Sequence, residues 1–540
     1  MTDAPPPKTV RELALPLGSG PTELRAATAA QLGVDLSALG DVRVRKVSVD
    51  ARGKHLRKVY TVDAWRADED APPDRTPALR RGSPRLFPEG SRGRLPVIVG
   101  TGPAGLWAAL RLLEAGLPSI LLDRGGALPD RHAAVRGLRR DGVLDPESNL
   151  CFGAGGAGTY SDGKLYTRRR DPEIQRIYED LAALGAPTEI LVEAHPHVGT
   201  NRLIKMLARL EDFLRDSGCE IRYGAKVTGL VRDAAGTVAG VRMETGEELP
   251  SPAVILATGH SARDVYHWLH AAGVPLAMKP FAIGARCEHQ QAHIDQLQFG
   301  PHAGNPALEP AEYFLTAQVG PRGVYSFCMC PGGFVIPTTT ELGRLNVNGM
   351  SNHRRGSDFA NAALVVTVEP ADFWIDRPGD LAHLGPLAGL AFQRHLETRA
   401  FEAGGGAYHA PAQRLTDFLA GRSGTLPDRT SYRPGLTPSD LRTVLPERLH
   451  STLARGVLRF EQKMRGFLTE EAVLIGVETT TSSPIRILRD DTTLATPGFP
   501  GLYPCGEGAG QAGGIVSSAL DGLRVAEAVL TAVDAATTAG

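Results

Sequence analysis

The spacing of apolar residues changes several times along the chain, and its first stretch predicts a small α/β unit. Apolar positions recur at helical spacing over 21–32, and they alternate with polar positions over 42–49 and 58–65. The turn Ala51-Arg52-Gly53-Lys54 separates the two predicted strands. Residues 67–93 then carry few apolar positions among Pro, Gly, Arg, Asp and Glu, a composition typical of linkers. We therefore predict an α/β unit at 1–66 and a linker at 67–93.

The pattern after the linker predicts strands that alternate with helices. Leu95–Val99 is a β-rich run, a helical pattern follows it up to Gly116, and Ser119–Leu122 predicts the next strand, which completes a βαβ unit. An apolar strand is expected to end at Ala257-Thr258-Gly259. Further strands are predicted at 220–226, 227–232 and 240–244, and a last helix at about 515–532.

From residue 280 the pattern turns to many short strand-like runs, which predict a domain of a different kind. The predicted strands lie at 281–288, 324–329, 334–337, 363–368 and 473–488, and helical patterns cover 386–403 and 438–466. We interpret 280–490 as an inserted α+β substrate domain, which divides a first part at 94–279 from a C-terminal return at 491–540. The predicted fold class is thus α/β, with a discontinuous Rossmann-like domain, this large insertion and the small N-terminal unit.

Charge and composition exclude several classes of partner. Lys+Arg 59 against Asp+Glu 60 leaves a net charge of −1, so no global basic field attracts nucleic acid or anionic lipid. Neither a signal-peptide pattern nor 18 consecutive apolar residues is present, so we expect no membrane association. The six cysteines follow no disulfide framework, which favours reduced thiols in a cytoplasmic protein.

A glycine motif between the first strand and helix of the βαβ unit predicts a dinucleotide site. Gly100, Gly102 and Gly105 form G-x-G-x-x-G, where the glycines allow a tight turn, the approach of a pyrophosphate and close packing of helix and strand. The helix N-terminus then faces the phosphates. Asp123 ends the second strand, 18 residues after Gly105, and its carboxylate is expected to accept hydrogen bonds from the adenosine ribose. The motif alone fits NAD and FAD equally well.

A second glycine cluster lies near the C-terminus, where 501–514 lead into the last helix. Together with Asn149–Leu165, Tyr325–Gly333 and Gly476–Glu478, this segment resembles the glutathione-reductase-like flavoprotein superfamily. Within it, the chain is most similar to a functionally uncharacterised family of bacterial FAD-dependent dehydrogenases or oxidoreductases. The resemblance covers nearly the whole chain and implies FAD as the cofactor.

The resemblance also implies roles for particular residues. Gly506 and Glu507 would hold the ribityl and pyrophosphate part of FAD, with Glu507 in place of the usual aspartate. Val227 would offer backbone contacts to adenine, and residues 155–159 would wrap the flavin ring. Independently, Gly513 and Gly514 at a helix start would place N–H donors beside the flavin N1–C2 carbonyl edge. The predicted cofactor-binding residues are Gly100, Thr101, Gly102, Pro103, Ala104, Gly105, Asp123, Arg124, Gly155, Gly156, Ala157, Gly158, Thr159, Val227, Thr258, Gly259, Gly506, Glu507, Gly513, Gly514 and Ile515.

The residues that would contact the substrate are less defined, and each candidate has both a functional and an ordinary structural interpretation. His260 follows Ala-Thr-Gly directly and is either near the cofactor or a loop histidine. His195 and His197 resemble part of a metal site but have no evident third ligand, so we predict no metal. Cys328 and Cys330 are spaced to point the same way, and are either a reactive pair or buried thiols. Three arginines could clamp an anion or lie on the surface: Arg286, Arg465 and Arg486.

These observations predict an FAD-dependent oxidoreductase of the dehydrogenase type, with a small-molecule substrate and no assigned catalytic residue. No second βαβ unit built on a G-x-G-x-x-G turn is predicted, so no dedicated NAD(P)H domain is visible and NAD(P)H is expected to bind only transiently. Two alternatives stay open: a flavoprotein of RNA modification and a non-catalytic FAD sensor or scaffold. The first would use a basic cluster of the N-terminal unit, namely Arg43, Arg45, Lys46, Arg52, Lys54, Arg57 and Lys58.

Overall fold

A computed structural model describes residues 6–51, 55–73, 76–83, 95–167, 169–374 and 382–539 of the 540-residue chain. The predicted turn at 52–54 and much of the predicted linker, at 74–75 and 84–93, lie outside the described residues.

The N-terminal unit is a three-stranded antiparallel sheet covered by one helix. Its elements are β1 (Lys8–Pro16), α1 (Pro21–Leu32), β2 (Leu39–Asp50) and β3 (Arg57–Arg66), and the strand order is β1-β3-β2. The helical spacing predicted α1, and both predicted strands lie inside β2 and β3. The sequence did not predict β1, because its buried residues, Val10 and Leu13, are not spaced two apart.

A five-stranded parallel sheet lies at the centre of the next part of the chain. Its order is β22-β10-β4-β5-β6, so the strand nearest the C-terminus pairs with a strand that precedes residue 280. The strands are β4 (Val97–Val99), β5 (Ile120–Leu122), β6 (Glu220–Arg222), β10 (Val254–Leu256) and β22 (Leu502–Pro504). The helices are α2 (Pro103–Glu114), α3 (Leu128–Asp141), α4 (Glu173–Ala183), α5 (Thr200–Asp216), α6 (Arg263–Ala271) and α11 (Ile515–Ala539). The predicted Rossmann-like fold class is confirmed.

A small antiparallel sheet follows β6 and corrects one sequence assignment. It contains β7 (Val227–Arg232), β8 (Val238–Met243) and β9 (Glu248–Pro250). The residues at 220–226 were predicted with these strands, but β6 instead pairs in parallel with β5. Strand β6 has only three residues and ends at Arg222. Apolar patterning cannot tell whether such a short strand belongs to the edge of one sheet or to a hairpin of another.

A seven-stranded sheet forms the centre of the region after residue 280, in the order β13-β14-β17-β12-β20-β18-β19. Its strands are β12 (Phe281–Gln290), β13 (Thr316–Val319), β14 (Arg322–Cys330), β17 (Phe359–Val368), β18 (Ala410–Arg414), β19 (Leu436–Pro438) and β20 (Val473–Glu478). The pairs β15 (Gly333–Pro337) with β16 (Val347–Ser351) and β11 (Leu276–Met278) with β21 (Ile485–Ile487) are separate. The helices are α7 (Gln291–Phe299), α8 (Ala388–Ala403), α9 (Leu415–Ala420) and α10 (Glu447–Lys463).

The two faces of this sheet are unequal. On β12, Phe281, Ile283 and Ala285 point into the largest apolar core, which α8 and α10 cover. Since side chains alternate along a strand, Ala282 points the other way. It joins a small separate apolar cluster, which we call the Tyr325 face: Ala282, Tyr325, Phe327, Ala363 and Val365. Tyr325 and Phe327 are only partly buried there.

Helix α2 carries a buried polar contact that gives a pH-dependent prediction. Trp107 Nε1 donates to Asp180 Oδ2 at 3.0 Å, and burial raises the pKa of Asp180 to about 6 despite Arg176 nearby. A carboxyl group whose pKa is raised by folding stabilises the protein at low pH and loses that contribution as pH rises through the folded pKa. Asp180→Asn should therefore raise the free energy of unfolding by about 1–3 kcal/mol near neutral pH, with the gain vanishing by about pH 4. Urea unfolding at several pH values tests this, and a gain independent of pH would contradict it.

No helix within the described ranges combines the length and apolarity needed to cross a bilayer.

Candidate functional site

The two glycine clusters, 400 residues apart in the chain, meet beside the parallel sheet. A Cβ built on Gly506 would lie 2.7 Å from the Ala104 Cβ, and one on Gly522 would lie 2.1 Å from the Ala104 carbonyl oxygen. Strands β4, β10 and β22 run side by side and deliver both clusters to the same edge of the sheet. Ligands of open α/β sheets bind at this carboxyl edge.

The glycines at the start of α2 have different roles. A Cβ at Gly100 would lie 2.3 Å from Ala257 O, and one at Gly105 would lie 2.0 Å from Gly100 O, so both glycines are required by packing. Gly102 is different, because the atom nearest to its Cβ would be Gly156 Cα, at an ordinary 3.8 Å. No side chain caps the first turn of α2, which leaves its N–H groups for an anion. This uncapped turn beside a bare backbone fits a pyrophosphate.

The predicted flavin loop at 155–159 lies between the two glycine clusters. A Cβ on Gly156 would lie 2.9 Å from Gly102 Cα, and one on Gly158 would lie 3.3 Å from both Pro103 and Ile515. Residues Ala157–Tyr160 form a 3-10 turn in which Thr159 Oγ1 donates to Ala154 O at 3.2 Å. The loop therefore contacts the starts of both α2 and α11.

A fully buried arginine on α3 holds this loop in place. Arg131 is 0% exposed, and its guanidinium donates to five main-chain carbonyls and no carboxylate. Burial lowers the pKa of Arg131, and Tyr160 and Asp123 oppose that shift. The five acceptors are the carbonyls of Asn149, Leu150, Gly153, Ala154 and Gly156. A buried positive charge beside the pyrophosphate position suits a dianionic ligand.

We expect Arg131→Met to weaken both the fold and FAD binding, because it leaves five buried carbonyls without a donor. The free energy of unfolding should fall by at least about 3 kcal/mol. Arg131→Lys keeps the charge but has only three donors, so it should lie between the wild type and Arg131→Met. Urea unfolding and flavin absorbance after gel filtration measure the two effects. Equal FAD affinity in all three proteins would contradict this role.

Asp123 has a different environment from the one predicted. Its carboxylate is 8% exposed and already accepts four hydrogen bonds, from Thr101 N and Oγ1, Gly125 N and Gly153 N. These bonds join β5 to the α2 turn and the flavin loop. The ribose contact stays a prediction, and it would require Asp123 to give up one of these donors. Arg124 points elsewhere, forming ion pairs with Asp264 at 2.5 Å and Glu147 at 3.6 Å.

The remaining predicted residues lie around the same edge of the sheet. Gly506 has φ 74° and its N–H donates to Asp521 Oδ2 at 2.8 Å. Glu507 Oε2 lies 3.4 Å from His260 Nδ1, so His260 is a neighbour of the predicted cofactor segment. Gly508 packs on Gly259, where a Cβ would lie 2.6 Å from Gly259 O. Val227 is buried at the start of β7, on the adjoining small sheet.

A cleft of about 410 Å³ opens at the N-terminus of α11. Gly513 and Gly514 are exposed there, and a Cβ at either would meet open space or only Ser517 Oγ at 3.9 Å. Lys279 also lines the cleft, and its Nζ donates to Ser482 Oγ at 3.3 Å. Burial and the neighbouring Arg486 lower the pKa of Lys279, while Glu507 opposes that shift. The other lining residues are Thr167, Arg169, Gly510, Gln511, Ala512 and Ser517.

Arg286 is not a surface arginine and is not available as an anion clamp. Its side chain is 0% exposed, and Nε pairs with Glu478 Oε2 at 2.5 Å. All five of its N–H groups are used, because it also donates to Glu478 Oε1, Cys328 O, Asn361 Oδ1 and Asn348 Oδ1. Burial, opposed by Arg286, raises the pKa of Glu478 to about 7. The network lies on the same side of the sheet as Ala282, four residues earlier on β12.

The other sequence candidates lie on the surface or pack within the protein, and Arg486 also lies beside Lys279 and Gly510. Arg465 and Arg486 are exposed. His197 is buried and stacks on His353 with ring centroids 5.5 Å apart, while His195 packs edge-on against Tyr166. Thr200 is the first residue of α5, and its Oγ1 donates to Ser161 O at 2.6 Å. The basic cluster is partly neutralised, since Arg43 pairs with Asp41 and Arg45 with Asp63; Arg52 and Lys54 lie outside the described residues.

Sequence reasoning missed three residues that organise the site: Arg131, Lys279 and Asp521. Arg131 belongs to a helix with three other arginines, and no spacing distinguishes it from them. Asp521 accepts from Gly506 N and pairs with Arg489 at 2.7 Å, contacts between distant segments that only the fold reveals. Lys279 precedes a proline between two strands, and no sequence pattern there indicates a functional residue.

Comparisons with known proteins agree with this geometry. An "uncharacterized protein" of Clostridium beijerinckii is 42% identical over 443 residues, which cover 81% of each chain. The present chain belongs to the same family. A family model described as "FAD-dependent protein, C-terminal domain-like" matches residues 280–481, and a domain of unknown function matches 7–65. The match to an FAD-dependent family model shows that the chain binds FAD. Membership of the glutathione-reductase-like superfamily stays a prediction.

Solved structures give only weak likenesses. A geranylgeranyl bacteriochlorophyll reductase-like protein from Thermoplasma acidophilum is 12% identical with a TM-score of 0.35, covering 82% of this chain and 79% of that one. L-amino acid deaminase from Proteus myxofaciens is 12% identical with a TM-score of 0.36, covering 84% and 93%. At these scores neither bears on the substrate or reaction of the family.

Proposed function

We propose that the protein is an oxidoreductase of the dehydrogenase type, which exchanges a hydride between FAD and an organic substrate. The observation that carries this proposal is the Tyr325 face. It is a second apolar cluster on the sheet side opposite the main core, and it presents two partly exposed aromatic rings. Exposed aromatic rings beside a cofactor edge are typical of small-molecule sites.

The surroundings of the Tyr325 face support a polar group at one end of the substrate. Ala282 N donates to Thr481 Oγ1 at 3.2 Å, and the next residue, Ser482, accepts from Lys279. Lys279 in turn lies in the cleft at the start of α11 and feels the charge of Glu507. The apolar face and the cleft are therefore neighbours. We infer a substrate with an apolar body on the Tyr325 face and an anionic or polar end at Lys279.

FAD, when bound, supplies the two-electron chemistry of the reaction. The residues of the chain bind the substrate and orient it. Tyr325 and Phe327 exclude water from the apolar body, Lys279 orients its polar end, and the N-terminus of α11 favours negative charge on the neighbouring ligand. A nicotinamide donor, if used, would enter the same cleft transiently.

The deciding experiment is anaerobic titration of the purified yellow protein with NADH, NADPH and a panel of hydroxy and amino carboxylates. Loss of the flavin absorbance with one of them identifies the donor class. Lys279→Gln should raise the Kd of an anionic substrate about tenfold, which corresponds to about 1.4 kcal/mol. The control Lys205→Gln, on the exposed side of α5, should leave it unchanged. If no compound reduces the flavin, the non-catalytic reading is favoured instead.

A further inference from the structure

Strand β14 contributes Tyr325 and Phe327 to the Tyr325 face. It also carries Cys328 and Cys330, where its backbone is irregular. The pairing of β14 with β17 shifts register between Phe327 and Cys330. Cys328 lies in this bulge with φ 45°, a left-handed conformation that is uncommon for residues other than glycine. In a regular strand, residues two apart on one face stand nearly 7 Å apart at about 3.3 Å per residue. Here the backbone is irregular, and Cys330 Sγ contacts the carbonyl oxygen of Cys328.

The two thiols differ in accessibility. Cys328 is partly exposed, whereas Cys330 is 0% exposed and its Sγ donates to Cys328 O at 3.4 Å. Such an asymmetry is typical of pairs in which one thiol attacks and the other, buried thiol resolves.

The charges around Cys328 favour its thiolate. Arg286 Nη1 donates to Cys328 O at 2.7 Å, and Lys164 Nζ donates to the carbonyl of Met329. The hydrogen bond from Cys330, aided by Arg286 and Lys164, lowers the pKa of Cys328, and the same bond raises that of Cys330. Burial instead raises the pKa of each of the other four thiols: Cys151, Cys219, Cys287 and Cys505.

Lys164 links the backbone between the two cysteines to the segment that follows the flavin loop. Lys164 follows residues 155–159 by five positions, its Nζ donates to the Met329 carbonyl between the two cysteines, and its charge helps to lower the pKa of Cys328. From the same segment, Asp162 accepts from Ser351 on β16 and pairs with Arg355 at 3.4 Å. The two cysteines thus lie beside the segment that follows the flavin loop, on the side of the sheet where Arg286 and Ala282 lie.

We propose that Cys328 and Cys330 form a redox-active pair, which interconverts between two thiols and one disulfide by exchanging two electrons with FAD. Oxidation breaks the two S–H bonds and forms one S–S bond. The two electrons and two protons released are taken up by FAD, which becomes FADH2, and reduction reverses each step. Cys328 is the attacking thiol and Cys330 the resolving thiol. The proposal goes beyond the proposed function, because it requires no particular organic substrate.

The first test counts thiols and needs no turnover. Both cysteines lie in one tryptic peptide, residues 323–344. After equilibration with glutathione disulfide, denaturation and alkylation, this peptide from wild-type protein should carry no alkyl group and lack two hydrogens. After reduction it should carry two alkyl groups. Cys328→Ser and Cys330→Ser should form no such internal bond, whereas the control Cys151→Ser should behave like wild type. Two alkylated cysteines in the oxidised wild type would overturn the proposal.

The second test counts electrons. Holoprotein treated with glutathione disulfide, freed of it and then titrated anaerobically with dithionite should take up four electrons per FAD, and the double variant that carries both Cys328→Ser and Cys330→Ser should take up two. Uptake of two electrons by wild type would show that the pair does not communicate with the flavin and would overturn the proposal. Because neither test contains an organic substrate, its outcome is independent of whether the protein is a dehydrogenase.

Discussion

Gly102→Ala should abolish tight FAD binding while leaving the fold intact. A methyl group at this position meets only Gly156 Cα, at 3.8 Å, and φ −73° is ordinary for alanine, so the protein itself tolerates the change. The same methyl group would occupy the place where a pyrophosphate approaches the backbone. We expect FAD affinity to fall on the order of 100-fold, equivalent to about 2.7 kcal/mol. Absorbance at the flavin maximum after dialysis, together with fluorescence titration of the apoprotein, measures it.

Two further glycine variants make this result interpretable. Gly229→Ala lies in β7, where a Cβ meets nothing within 4 Å, and it should bind FAD like wild type. Gly105→Ala would place its Cβ 2.0 Å from Gly100 O, so it should lose folded protein and cofactor together. If Gly102→Ala binds FAD normally, the phosphate site does not lie at the start of α2.

Arg286→Met should destabilise the protein by about 3–5 kcal/mol, because it leaves a buried carboxylate without its partner. Both Arg286 and Glu478 are 0% exposed, so water cannot replace the lost bonds. Glu478→Gln combined with Arg286→Met should recover part of the loss, since the remaining group is neutral. Chemical unfolding of the single and double variants measures the effect. Arg429→Met, which breaks an exposed pair with Asp358, should cost less than about 1 kcal/mol.

The pH dependence of this variant has a definite sign. Burial already raises the pKa of Glu478 to about 7, and removal of Arg286, which opposes that shift, should raise it further. A carboxyl group with a raised folded pKa stabilises the fold when protonated, and that contribution is lost as pH rises. The deficit of Arg286→Met should therefore be small near about pH 5 and largest near about pH 8. A deficit that grows on acidification would show that the pair is not the cause.

The parts of the site that the sequence predicted are those made by local backbone requirements. Gly100 and Gly105 are fixed by contacts with a neighbouring strand and turn, which the G-x-G-x-x-G spacing encodes directly. Apolar spacing predicted helix α1, and apolar runs predicted strands β12, β17 and β20, because these strands are buried along nearly their whole length. The fold class and the cofactor could be predicted for this reason.

The residues that escaped prediction are buried charges whose partners lie far away in the chain. Arg286 meets Glu478 across 192 residues, and Arg131 meets carbonyls 18 to 25 residues away in an irregular loop. No periodicity marks such residues, so Arg286 was expected to clamp an anion or to lie on the surface. The bulge at Cys328 was equally hidden, because an extra residue in a strand leaves the apolar pattern almost unchanged.

The position of β22 in the parallel sheet has a consequence for synthesis on the ribosome. Until residues 502–504 emerge, β10 presents an unpaired edge, and Gly506 and α11 are missing from the cofactor edge. The N-terminal unit and much of the inserted sheet can fold earlier in the nascent chain. Until β22 and α11 are made, however, the chain lacks part of its flavin site, and its unpaired strand β10 can associate with strands of other molecules. Retention of flavin thus marks a polypeptide whose translation has run to the last helix.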